Sequence, residues 1–155
     1  MNDSLITALL EDLKSSEEIV RDRATQELWR IWFEQKGISG LETLRHAQIL
    51  LESGNPIGAE ALLTELLEQI PDFAEAWNRR AVLYYTQGKY RLAIRDCERA
   101  VHLNPIHFGA LHGLGLSYMA VGDYRPAIRA FRQALILQPY SVVNQRLILE
   151  CTFRL

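Results

Sequence analysis

The sequence predicts an all-α protein, a right-handed α-α superhelix of about nine helices in which three helix pairs are flanked by helical caps. Three observations predict it. Prolines recur at 71, 105 and 139, and glycines at 54, 88 and 122, each 34 residues apart. Alanines 59, 93 and 127 keep the same step. Apolar residues between these marks fall at helical spacing, as in Leu92, Ala93, Cys97, Ala100 and Val101. A fixed period of this length is the mark of stacked repeats.

Each repeating column has a mechanical reason. Ala47, Ala81 and Gly115 align, as do Leu66, Ala100 and Ala134. Small side chains let two antiparallel helices of one pair approach closely. Leu50, Tyr84 and Tyr118, with Leu63, Cys97 and Phe131, fill the space between one pair and the next. Each glycine stands where the first helix must stop, since it enters the left-handed region at little cost. Each proline follows a second helix that it cannot continue. The units are therefore 40–73, 74–107 and 108–141, within a single domain spanning 1–155.

The flanks read as caps, because a stack leaves apolar faces bare at both ends. Residues 1–38 form the N-terminal cap: one helix over about 4–14 started by Asn2 or Asp3, and a second over about 17–36 ended by Gly37. The second carries Leu28, Trp29, Ile31, Trp32 and Phe33, too apolar for a free surface helix. Its sharper reading is a partner-binding or dimerising face. Ser15 with Glu18, Ser39 with Glu42, and Asp72 with Glu75 have capping-box spacing. Residues 141–155 read as a last capping helix, apolar on more than one side through Val142, Val143, Leu147, Ile148, Leu149, Cys151 and Phe153.

Composition excludes several classes. Hydrophobic residues make up 48% and charged residues 23% of 155, an ordinary globular balance. A net charge of −2 makes nucleic acid an improbable partner. The start is neither a secretory signal nor a transit peptide, and no apolar run is long enough to span a membrane. Cys97 and Cys151 lie in no metal or redox spacing, which fits a reducing cytoplasm. No phosphate loop, nucleophile motif or metal-binding pair is present, so no cofactor, metal site or enzymatic activity is expected. His46 falls at a core column, and His102, His107 and His112 read as stray histidines. Cys97 reads as a buried thiol, and Asp96 and Glu98 as surface carboxylates.

The columns resemble the tetratricopeptide repeat family. Trp77, Ala81, Tyr84, Gly88, Tyr90, Ala93, Ala100 and Pro105 occupy its positions in the middle unit; the third unit has Leu111 for the tryptophan, and the first is degenerate. The stretches VRDRATQELWRIWFEQKG and DFAEAWNRRAVLYYTQGKY, followed by HFGALHGLG, are similar to small bacterial and plastid-type members with no assigned activity. The resemblance implies a non-enzymatic adaptor or scaffold that holds a peptide or extended protein segment in a concave groove. It places the groove on Leu44, Gln48 and Leu51, then Asn78, Arg79, Val82 and Tyr85, then His112, Leu116 and Met119. One family variant clamps the acidic tails of heat-shock chaperones with cationic and asparagine side chains. Here the corresponding residues are Leu44, Gln48, Arg79, Gly109 and Gly113, which argues against that ligand.

Charge is uneven along the chain. Residues 1–73 hold 6 basic and 14 acidic side chains, net −8, and residues 74–155 hold 11 and 5, net +6. Arg91, Arg95 and Arg99 share one helix face, and Arg125, Arg129 and Arg132 share the equivalent one. These six define a candidate basic patch on the convex surface for an acidic partner. Apolar ends and opposite charge on the two halves make a homodimer, a self-associating structural module, a further candidate.

Overall fold

The computed structural model describes residues 3–155, which form nine α-helices. These are α1 (Asp3–Asp12), α2 (Glu18–Phe33), α3 (Gly37–Glu52), α4 (Pro56–Gln69), α5 (Ala74–Thr86), α6 (Tyr90–Leu103), α7 (Phe108–Ala120), α8 (Tyr124–Leu137) and α9 (Val142–Phe153). Helices α3/α4, α5/α6 and α7/α8 are the three pairs, stacked into an all-α solenoid, and α9 packs on α8.

Gly54, Gly88 and Gly122 have φ of 82°, 74° and 81°, and each ends the first helix of its pair. The same two bonds close all three ends. Gly54, Gly88 and Gly122 N–H donate three residues back, while Asn55, Lys89 and Asp123 N–H donate to Leu50, Tyr84 and Tyr118 carbonyls at 2.7, 2.9 and 3.0 Å. This is the six-to-one closure that needs a left-handed residue. Pro71, Pro105 and Pro139 stand just past α4, α6 and α8. The small columns lie inside the pairs, with Ala59, Ala93 and Ala127 fully buried. At Gly115 an added Cβ would fall 2.5 Å from the Phe131 ring, so the residue sets how close α7 and α8 come.

Helix starts differ from the capping-box expectations. Ser15 accepts from Glu17 N–H, and Glu17 holds the cap position of α2 without a side-chain bond. Helix α3 begins at Gly37, which puts Ser39 inside it. Phe73 rather than Asp72 precedes α5; Asp72 is drawn away to Lys36 at 2.7 Å, and Glu75 turns inward. Asp3 begins α1, and Asn2 lies outside the described residues. Asn55 and Ser141 do cap, accepting from Gly58 and Asn144 N–H.

The larger departure concerns α1 and α2. Rather than sitting on the end of the stack, α2 runs across the starts of the first helices, with α1 packed on it. Phe33 joins the core of the first unit and lies under Arg79 of the second. Trp29 and Trp32 meet His107 and Phe108 at the start of the third. Arg21 lies over the Tyr140 ring, just before α9. Leu9, Leu13, Ala24 and Leu28 fill the space behind, with Ile106 and Leu137 from the stack. Leu28 and Trp32 of the apolar run are buried by these contacts, and Trp29, Ile31 and Phe33 are half-buried. A periodic sequence gives no signal for where an unrepeated hairpin docks.

Asp96 also departs from the surface reading, whereas Glu98 is exposed as expected. Asp96 is fully buried and takes both Nε and Nη2 of Arg80, at 2.7 and 3.0 Å, while Arg80 Nη1 donates to Thr64 at 3.2 Å. One guanidinium thus joins α4, α5 and α6. Glu98 accepts from Tyr118 Oη at 2.9 Å, linking the second pair to the third.

Two outcomes test this packing. Ala127→Leu is expected to lose about 1–3 kcal/mol in a urea titration, through overpacking between α7 and α8. Arg80→Met is expected to lose about 3 kcal/mol or more by leaving a buried carboxylate unpaired, and adding Asp96→Asn recovers most of the loss.

Candidate groove and the strap that narrows it

The starts of α5 and α7 carry the most densely bonded polar cluster in the molecule. Glu75 is fully buried and accepts three bonds: Asn78 Nδ2 at 3.2 Å, Arg79 Nε at 3.0 Å and His107 Nε2 at 2.7 Å. His107 Nδ1 accepts from Ala110 N–H at 3.0 Å and so caps α7. That bond fixes the tautomer: the ring proton sits on Nε2 and points at Glu75. No buried side-chain polar atom among the described residues lacks a partner. His107 is thus a structural residue rather than a stray one.

Helix α2 closes over this cluster. The Trp32 ring stacks on His107 at 4.4 Å and 21°, and Trp29 meets the same ring edge-on at 5.2 Å. Such paired rings add about 0.5–1.5 kcal/mol beyond their buried area. Gly109 makes the approach feasible, since a Cβ there would stand 2.4 Å from Trp29 Cη2. The glycine that departs from the chaperone-clamp pattern is the seat of a tryptophan.

The strap changes which expected groove residues are reachable. Leu44 is buried in the first unit's core and meets no partner, which corrects its assignment to the groove. Asn78 is buried too, held by Glu75, though it still edges the cavity described below. Arg79 is half-buried between Glu75 and the Phe33 ring, so its charge is already used. Gln48 is exposed and bonded to Glu52, and Leu51 is half-buried. His112 Nδ1 lies 2.8 Å from Asn144 Oδ1, tying α7 to α9. His46, expected in the core, is exposed.

Beyond the strap, a cavity of about 160 Å³ remains between α5 and α7. Val82, Tyr85 and Leu116 line it with Cys97 and Gly113, and His112 and Ser117 also reach it, bonded to Asn144 and to the Gly113 carbonyl. Val82 is 43% exposed at its mouth. Tyr85 is braced against Tyr90 at 5.4 Å, and Met119 lies half-buried against the third pair. Burial, with Asp96 and Glu98 nearby, pushes the Cys97 thiol up to about 12, so it serves packing rather than reactivity. Cys151 is also free, buried and shifted upward by burial.

On the opposite side, Arg91, Arg95 and Arg99 of α6 and Arg125, Arg129 and Arg132 of α8 are all exposed. Trp77, Arg80, Arg95, Glu98, Arg99 and His102 form a shallow basin of about 500 Å³. Among the described residues, no helix is long and apolar enough to cross a membrane. No group of three metal-ligating side chains assembles among them either.

Stacked helix pairs with a groove on the first-helix side define a helical-repeat scaffold. The chain matches family models described as tetratricopeptide repeat over residues 74–107 and 108–141. It is similar to a TPR repeat-containing protein of Rhizobium etli, 35% identical over 88 residues, covering 57% of this chain and 43% of the relative. A BBSome complex member BBS4 homolog of Drosophila melanogaster is 30% identical over 90 residues, covering 57% of this chain and 18% of that protein. The chain thus spans less than half the length of these curated relatives. Among solved structures, the first TPR of Spaghetti (RPAP3) bound to HSP90 peptide SRMEEVD superposes with a TM-score of 0.70 at 20% identity, covering 73% of this chain and 90% of that one. MamA superposes at 0.69 and 21%, covering 84% and 74%. At these identities the likeness establishes the fold.

The strap has a direct test. Gly109→Ala is expected to push Trp29 outward, giving a red-shifted tryptophan emission and a loss of about 1–3 kcal/mol in a denaturant titration. The same substitution made in a Trp29→Ala background should change neither.

Proposed function

We propose that the protein is a non-enzymatic adaptor that holds an extended protein segment in the part of its groove the strap leaves open. The observation that carries this reading is the apolar cavity at Val82, Tyr85 and Leu116, exposed at its mouth. Its 160 Å³ suits one apolar side chain of a bound segment, not a folded domain. Gln48, Glu52 and Thr86 add exposed polar side chains on the first helices of the first two units. The structures named above for Spaghetti (RPAP3) include a peptide ligand, which supports a peptide as the ligand class here.

The acidic chaperone tail is a poor fit. A tail carboxylate needs free cations, yet Arg79 is committed to Glu75, Gly109 lies beneath Trp29, and Gly113 offers no charge. A second reading, docking of an acidic protein on the convex side, is favoured by the six exposed arginines of α6 and α8, of which Arg95 and Arg99 line the Trp77 basin. A contact between two copies is the third, and the last helix supplies its surface.

The test is affinity capture from the source cell with the wild-type chain and two variants. Val82→Glu with Met119→Glu is expected to weaken capture of the specific partner tenfold or more, while Arg95→Glu with Arg129→Glu leaves it within about twofold. Loss only with the arginine variant, and only at low salt, would move the site to the convex face.

A further inference from the structure

Helix α9 stands in the register of a first helix. Its Gln145 donates to the Pro139 carbonyl at 3.1 Å, as Trp77 donates to that of Pro71 at 2.9 Å. Positions can therefore be compared across units. In α5 and α7 the first, eighth and twelfth helix residues are all buried or half-buried, the eighth being Ala81 or Gly115, and Gly40, Ala47 and Leu51 hold the matching repeat positions within α3. In α9 the same positions hold Val142, Leu149 and Phe153, exposed by 71%, 61% and 90%. The opposite side of α9 buries Asn144, Leu147 and Cys151. The three exposed side chains form one stripe at spacings of seven and four, facing directly away from the stack.

The stripe is not shaped for a fourth pair. At this repeat position the complete pairs hold nothing larger than a methyl group, and at Gly115 beneath Phe131 not even that. Leu149 would hold a pairing helix off at that distance. The stripe suits a helix crossing at wider separation, and its charges select which one. Arg146 and Glu150 flank the stripe one turn apart with opposite sign; Arg146 makes no ion pair among the described residues, and Glu150 reaches only Arg154 at 3.9 Å. A two-fold axis passing between residues 147 and 148 sets Val142 against Phe153 of a second copy. It also brings Arg146 within one residue of register of Glu150 of that copy, twice over. An isologous contact requires this kind of self-complementarity.

We propose that α9 is a homodimer surface, packing antiparallel on α9 of a second copy through Val142, Leu149 and Phe153 and sealed by reciprocal Arg146–Glu150 pairs. It stands apart from the groove reading, because the stripe faces away from the α5/α7 cavity.

Sedimentation equilibrium of the 155-residue chain over a wide concentration range tests it. The expected result is a monomer–dimer equilibrium that Leu149→Glu or Phe153→Glu weakens by about thirtyfold or more, with helix content unchanged because both side chains are exposed. Arg146→Glu and Glu150→Arg should each weaken it about tenfold, and the double exchange should restore it to within a few-fold. A single-chain mass at the highest concentration, or a dimer indifferent to Leu149→Glu, overturns the proposal. A double exchange as weak as the two singles combined overturns the antiparallel pairing. Loss of partner capture by the groove variant leaves these masses unchanged, so the two readings fail separately.

Discussion

Close approach of antiparallel helices governs this molecule. At Ala59, Ala93, Ala127 and Gly115 the side chain ends at or before Cβ, and the facing helix fills the space. Dispersion falls off steeply with separation, so fixing the helices at this distance fixes the orientation of each pair. Larger residues such as Leu63, Phe73 and Phe131 then interlock one pair with the next. Left-handed glycines and terminal prolines set helix length, so the small columns stay aligned from unit to unit. At Leu149 a large residue stands where the three pairs carry alanine or glycine, and its side chain is exposed.

Polar side chains do a different task. The Glu75 cluster and the Arg80–Asp96 pair lie at junctions between units, where apolar packing alone would leave sliding freedom. Each satisfies every charged or donating atom within reach, which is the condition for burying such groups at tolerable cost. They differ in position. Arg80 fastens the outer side of the stack through Thr64 and Asp96, whereas Glu75 fastens the inner side and presents His107 to the strap. The face of His107 gives Trp32 a flat platform, and the capping bond to Ala110 keeps that platform from rotating.

The repeat period made the three pairs, their breaks and the last helix legible, because each obeys a local rule that recurs. The groove was legible only in outline. Leu44 and Asn78 stand at groove positions by register, yet the hairpin and its attendant bonds bury them. Asp72 and Glu75 have the spacing of a capping box, but Lys36 claims one and His107 the other, and both partners are distant in sequence. One signal for the strap was present. Gly109 leaves a side-chain volume vacant at the start of α7, which Trp29 fills, while five large apolar residues crowd one turn and a half of α2. Vacancy and excess are complementary, although nothing in the period connects them.

A linear stack transmits stability only between neighbours, so its ends can fray while the middle persists. Helix α2 alters that topology. By touching the first unit at Phe33, the third at Phe108 and the turn before α9 at Tyr140, it turns an open row into a closed ring of contacts. Opening any one junction then loosens the hairpin over all the others, which favours a single all-or-none transition over stepwise fraying. The ring also joins residues from opposite ends of the chain, raising contact order. Folding must wait for that closure and so is slower than in an unstrapped array of the same length.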